Sequence, residues 1–141
     1  MKKIGTYTCR GQITENTENR IILFDGKFTT GYRIREFKIM HRRANSGTVG
    51  WSILYTESGA VNLSTMDIQM DDNRQVGWCV SDLNGFFESL IDEDNMIVED
   101  LYIAAISDAS VEPQNYIITL DKYEFPDSFG ALAMVRNRSQ A

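Results

Sequence analysis

Residues 31–40, GYRIREFKIM, alternate apolar and polar side chains. That is the period of a strand with one face on a core and one face in solvent. The alternation changes phase once: Tyr32 and Ile34 share one parity, Phe37 and Ile39 the other. A one-residue slip inside such a strand would turn its core side chains outward. The run therefore predicts a strand with a β-bulge near Arg35-Glu36, where one extra residue restores the phase and adds twist. Its polar set, Arg33, Arg35, Glu36 and Lys38, is mostly basic.

The rest of the chain has the same texture. Strand-like runs cover residues 3–9, 21–24, 51–56, 61–70, 75–80, 96–106 and 115–125, with a last apolar segment at 131–135. Turn-rich stretches separate them: 13–19, 41–50, 57–60, 71–73 and 92–95. Asp25-Gly26 reads as a hairpin turn that tolerates positive φ. Val76, Trp78 and Val80 fall on one face of their strand, as do Trp51, Ile53 and Tyr55, and both tryptophans are expected to face inward. Residues 82–91, DLNGFFESLI, could fit a short helix with Asp82 as its cap, and 96–106 is long enough for three helical turns, although its β-branched residues favour a strand. Eight to ten short strands at a spacing of about ten residues predict an all-β, antiparallel β-sandwich of jelly-roll-like form. The 141 residues make a single domain over 1–135, followed by a polar C-terminal tail, 136–141, expected to order on assembly.

Charge is distributed unevenly. Residues 1–43 hold ten Lys or Arg against four acids, whereas residues 44–141 hold four against sixteen. Such a split either steers association with a charged partner or disperses when distant strands interleave. Lys2 and Lys3 are followed by Thr6, Thr8, Arg10 and Gln12 where a signal peptide would be apolar, so export by the general secretory route is not expected. No apolar run is long enough to cross a bilayer as a helix, and no membrane partner is expected. Cys9 and Cys79 are read as buried free thiols rather than a disulfide framework.

No catalytic motif emerges. His41 is the only histidine, and a zinc site, a Ser-His-Asp triad or a Cys-His dyad would each depend on it alone. The acidic stretches 92–95 and 71–73 offer oxygens for Ca²⁺, but their spacing is not that of an EF-hand, and both read as solvated turns. No glycine-rich phosphate loop is present. The chain is thus expected to be no enzyme and to need no cofactor or metal. The candidate interaction residues are Arg33, Arg35, Lys38, Arg42 and Arg43, with Arg136 and Arg138 at the C-terminal end. The overall excess of acids argues against a nucleic-acid partner, which leaves an acidic protein surface. Trp51 and Trp78 supply the alternative, an aromatic platform of the kind found in carbohydrate- or receptor-binding β-sandwich modules.

Several runs together resemble small all-β structural proteins of marine bacteriophage virions. They are FDGKFTTGYRIREFKI (24–39), QVGW (75–78), DNMIVEDLYI (94–103), NYIITLDKYE (115–124) and the ending VRNRSQ (135–140). The resemblance implies a virion protein assembled in the host cytoplasm: a jelly roll on or in the capsid that binds the major capsid protein and forms a homo-oligomer. The chain is short for a principal shell subunit, so a decoration or cement role, or a place at a vertex or tail, is expected. No site residues are carried over, because proteins of this kind work through surfaces.

Overall fold

The computed structural model describes residues 2–27, 29–42, 49–81, 87–107 and 113–125. The expected last apolar segment, the C-terminal tail and the first half of the expected helix lie outside them. Among the described residues there is no helix. The second half of the expected helix, Phe87–Ile91, is a strand.

Eight strands form two antiparallel sheets packed face to face: β1 (Lys2–Ile13), β2 (Glu18–Ile21), β3 (Thr30–His41), β4 (Gly50–Tyr55), β5 (Gln75–Ser81), β6 (Phe87–Ile91), β7 (Leu101–Ser107) and β8 (Gln114–Glu124). One sheet runs β1-β8-β3, the other β2-β7-β4-β5-β6. The pairs β1/β8, β2/β7 and β4/β5 are nested, as if one long hairpin had been rolled up. Between the sheets lies the main core, with Ile34, Phe37, Leu54, Val76, Ile103 and Ile118 at its centre. Each comes from a strand whose alternate residues face the other sheet.

The bulge in β3 lies where the phase change demanded it. Ile34 pairs with Leu120 and Glu36 with Thr119, leaving Arg35 as the extra residue. Ile34, Phe37 and Ile39 are consequently all buried. A second bulge, between Leu54 and Tyr55 in the β4/β5 ladder, adds Val76 to β5 and sends it into the inter-sheet core. Val76 therefore does not share a face with Trp78 and Val80, contrary to the simple alternation.

Four other expectations are corrected. The strand expected over 21–24 lies earlier: β2 is Glu18–Ile21, it begins inside the stretch read as turn-rich, and residues 22–24 belong to no strand. Residues 61–70 are turns rather than a strand. The Asn62 side chain accepts hydrogen bonds from the Ser64 N–H and hydroxyl, which closes a local turn in place of a ladder. Beside β4 the segment also finds no free edge, because β4 is already paired with both β5 and β7. It lies instead over the outer face of the larger sheet, where Val61 and Met66 pack on Ile53, Tyr55 and Ala104. Gly26 takes φ +87°, as its turn role requires, but the turn joins two different sheets and so makes no hairpin. The 96–106 run is a strand only from Leu101. Before it, Ile97 makes a single bridge to Tyr32, and the Asp100 carboxylate accepts from Arg20 Nε (2.6 Å) and the Leu23 N–H (3.2 Å).

The bulge makes a direct prediction. Deleting Arg35 leaves Ile34 and Phe37 two positions apart, both still inward on a regular strand. Thermal melting should fall by only about 5 °C or less. Deleting Lys38 puts Ile39 and His41 out of phase and should abolish the cooperative transition.

Candidate functional site

Side chains on the outer face of the β1-β8-β3 sheet form rows that the register fixes. Thr6, Asp121 and Arg33 share one row, Arg10, Ile117 and Lys38 another, and Gln12, Asn115 and Met40 the last. Asp121 is the organising group. Its carboxylate accepts from the Thr6 hydroxyl at 2.8 Å and lies 3.2 Å from Lys3 Nζ and 3.6 Å from Arg35 Nε. Burial pushes its pKa up. The Thr6 and Lys3 hydrogen bonds and the charges of Lys3 and Arg35 outweigh that and hold it below the usual carboxylate range.

The structure therefore divides the predicted basic strip. Arg35 is tied to Asp121. The Arg33 guanidinium lies 5.3 Å from the centre of the Tyr123 ring, a cation–π contact that covers part of it. Lys38 is exposed and sits 4.0 Å from Glu36. Arg42 is exposed just past β3, its backbone N–H bonded to the Pro113 carbonyl at 3.1 Å. Arg43, Arg136 and Arg138 lie outside the described residues. Arg10 joins this face, a residue that sequence reading left out because β1 is distant in the chain. Arg10, Lys38, Met40, Asn115 and Ile117 line a shallow hollow of about 540 Å³. Met40 is 66% exposed and Ile117 40%.

A second depression lies on the opposite side of the molecule. Trp51 pairs with Val80, and Ile53 with Trp78, on the outer face of the larger sheet. Both tryptophans are half-buried there and do not point into the inter-sheet core. With Ile68, Met70, Glu88 and Leu90 they line a groove of about 190 Å³. Gln75 fixes its floor: its Oε1 accepts from Trp78 Nε1 and from the Gln69 N–H, both at 3.0 Å, and its Nε2 donates to the Asp67 carbonyl. The hint in the sequence was the run WSILY, apolar on both parities, as expected of a strand covered on both faces.

The remaining candidates are structural. Asp72, expected in a solvated turn, is buried and forms a two-pronged pair with Arg74 at 3.0 and 2.8 Å. Glu18 accepts from the Tyr55 hydroxyl, the Ser58 hydroxyl and the Gly59 N–H, which fastens the start of the 56–74 segment to β2. Cys9 and Cys79 are free, but only Cys79 is buried; Cys9, expected to be buried as well, is partly exposed. Burial raises the pKa of both, and for Cys79 it wins over a hydrogen bond to Ile39, leaving the thiol at about 11. Among the described residues no group of three or more His, Cys, Asp or Glu is placed to hold a metal ion. Comparison with protein-family models and with curated protein sequences gives no match.

Glu18, Asp25, Asp72 and Asp121 all have folded pKa values below their ordinary ones. Their stabilisation is present in full above the unfolded values, 4.5 for Glu and 3.8 for Asp, and is lost as pH falls through the lower folded values. The melting temperature should hold from neutrality to about pH 5 and fall steeply below about pH 4. Asp121→Asn should cost about 1–2 kcal/mol at pH 7. Its melting curve should converge with that of the parent at low pH, where both carry an uncharged side chain.

Proposed function

We propose that this chain is a structural protein of a bacteriophage particle, an accessory capsid component of the decoration or cement kind, with no catalytic role. One observation carries the reading: the outer face of the β1-β8-β3 sheet. It is broad and cationic, with Lys3, Arg10, Arg33, Arg35 and Lys38 against Asp121 and Glu36. It ends in a hollow where Met40 and Ile117 are exposed. An apolar patch rimmed by charge suits docking on an acidic protein surface, where the charges orient the encounter and the patch supplies contact area. The major capsid protein is the partner proposed. The sandwich supports the reading in part: β1/β8, β2/β7 and β4/β5 nest as they do in a jelly roll, an architecture used by viral capsid proteins and lectins, although β6 pairs with β5 and not with β3. A charge split within one chain also suits an assembly whose copies meet at fixed orientations.

The test is the protein's copy number in purified particles by quantitative mass spectrometry. Hundreds of copies per particle, far more than a dozen, are expected for shell decoration. Arg10→Glu combined with Met40→Glu should reduce occupancy about tenfold, equivalent to about 1.4 kcal/mol of binding. The melting temperature should change by only about 2 °C, since both positions are exposed. Absence of the protein from washed particles overturns the proposal.

The second reading, a carbohydrate- or receptor-binding module at a tail, fibre or vertex, is favoured by the groove between Trp51 and Trp78. Aromatic faces stack on apolar faces of small ligands, and Glu88 at the rim offers an acceptor. Specific glycan-array signals that Trp51→Ala abolishes, with folding intact, would select it over the first. An array without hits removes it.

A further inference from the structure

β1 is twelve residues long and is the most exposed strand of the molecule, with only Ile13 fully buried. One edge is bonded to β8; the other is paired with no strand among the described residues. Which backbone groups point outward follows from the ladder. The Tyr32 N–H and carbonyl bond to Ile97 and so point away from β8. Tyr32 pairs with Lys122, whose own N–H and carbonyl must then face β1, at Gly5. Bonding alternates along an antiparallel pair, so Gly5, Tyr7, Cys9, Gly11 and Ile13 bond to β8. Thr6, Thr8, Arg10 and Gln12 present their N–H and carbonyl groups to the outside. The Gln12 carbonyl accepts from Asn19 Nδ2 at 3.1 Å, which agrees with that assignment and caps this end of the edge. A bulge between Lys3 and Gly5 disrupts the other end. What remains, among the described residues, is an open stretch from Thr6 to Arg10 in unbroken register with β8.

We propose that this stretch pairs with its own counterpart in a second copy of the chain, antiparallel and centred on Thr8, joining two three-stranded sheets into one of six. The register follows from geometry and charge. A two-fold centred on Thr8 sets Thr8 against Thr8 and Thr6 against Arg10, so every free outward group is used. Centring on Thr6 sets Lys2 against Arg10 and runs into the bulge. Centring on Arg10 sets like charges against each other, which is unfavourable. Centring on Cys9 spends half its bonds on the capped Gln12. In the Thr8-centred pair, Tyr7 of one copy faces Cys9 of the other at a position without hydrogen bonds, where side chains lie closest. Tyr7 leans over Gly5 and meets Tyr32 edge-on at 6.3 Å, yet it is 51% exposed in the single chain, so it has surface left to bury. Lys2, Lys3 and the bulge work as guards at the N-terminal end, blocking longer and out-of-register pairing. The pairing goes beyond the virion role and stands whether or not that role does.

Sedimentation equilibrium of the full chain, with reductant, should give a reversible dimer of twice 16.1 kDa. Thr8→Pro removes an N–H that β8 does not use, so it should leave the melting temperature near that of the parent and abolish the dimer. If Thr8→Pro fails to fold, Thr8→Lys sets two ammonium groups together on the two-fold and should weaken the dimer at least tenfold. Register is read by oxidising Tyr7→Cys, whose new thiol falls opposite Cys9 of the second copy and should give a covalent dimer on a non-reducing gel. Thr6→Cys, with Arg10 opposite, should give none. A parent that stays monomeric at millimolar concentration overturns the proposal. So does a dimer untouched by the folded Thr8 variant.

Discussion

The smaller sheet depends on β8, which is bonded along its whole length to β1 on one side and β3 on the other. A strand in that position has no solvent-facing edge, so its side chains decide what each face of the sheet can be. Ile118 and Leu120 supply the core. Asp121, between them and the outer surface, sets the electrostatics of the opposite face. A buried carboxylate is costly unless its oxygens are satisfied. Thr6 from β1 and the cations Lys3 and Arg35 from the two flanking strands satisfy it. The outer strands are thus joined to the middle one by charge as well as by backbone bonds.

The same arrangement explains much of the charge split along the chain. Basic residues of the first third meet acids of the second half in space: Lys3 and Arg35 at Asp121, Arg20 at Asp100. Asp25 reverses the roles by holding Lys122 at 3.0 Å. A nested topology makes this unavoidable, since β1 and β3 flank β8 and β2 flanks β7. What stays on the outer face after these pairings is a modest excess of positive charge concentrated toward Arg10 and Lys38, beside exposed Met40 and Ile117. The proposed docking on a protein surface rests on that composition.

The class of fold was legible because it rests on local signals. The phase change between Ile34 and Phe37 located the β3 bulge, and the strand-length apolar runs separated by Gly, Asn and Asp located most of the other strands. What was not legible depends on which slots in a ladder are already filled. Residues 61–70 have the alternation of a strand and are held off the sheet because β4 has both neighbours. Trp51 and Trp78 keep phase with aliphatic residues, yet that phase belongs to a second apolar face, covered by the 56–74 segment. Arg10 was missed as part of the cationic face for a related reason: the row Arg10–Ile117–Lys38 joins residues that only the register brings together. The roles of Arg33 and Arg35 changed too, because a cation near a buried carboxylate or an aromatic face belongs to the fold as much as to a surface.

The two sheets protect their edges unequally, and this bears on how such a chain associates. In the larger sheet the edge strands β2 and β6 are short, four and five residues, which limits what an incoming strand can gain. In the smaller sheet both edges are twelve-residue strands. β3 carries its bulge in mid-strand and is bridged at Tyr32 by Ile97, so its outer edge is broken into short pieces. β1 has its irregularity only near the start. The constraint that fixes β3 against the core thus also spoils it as a template, and the regular stretch of β1 is left as the place where a sheet of this kind can grow.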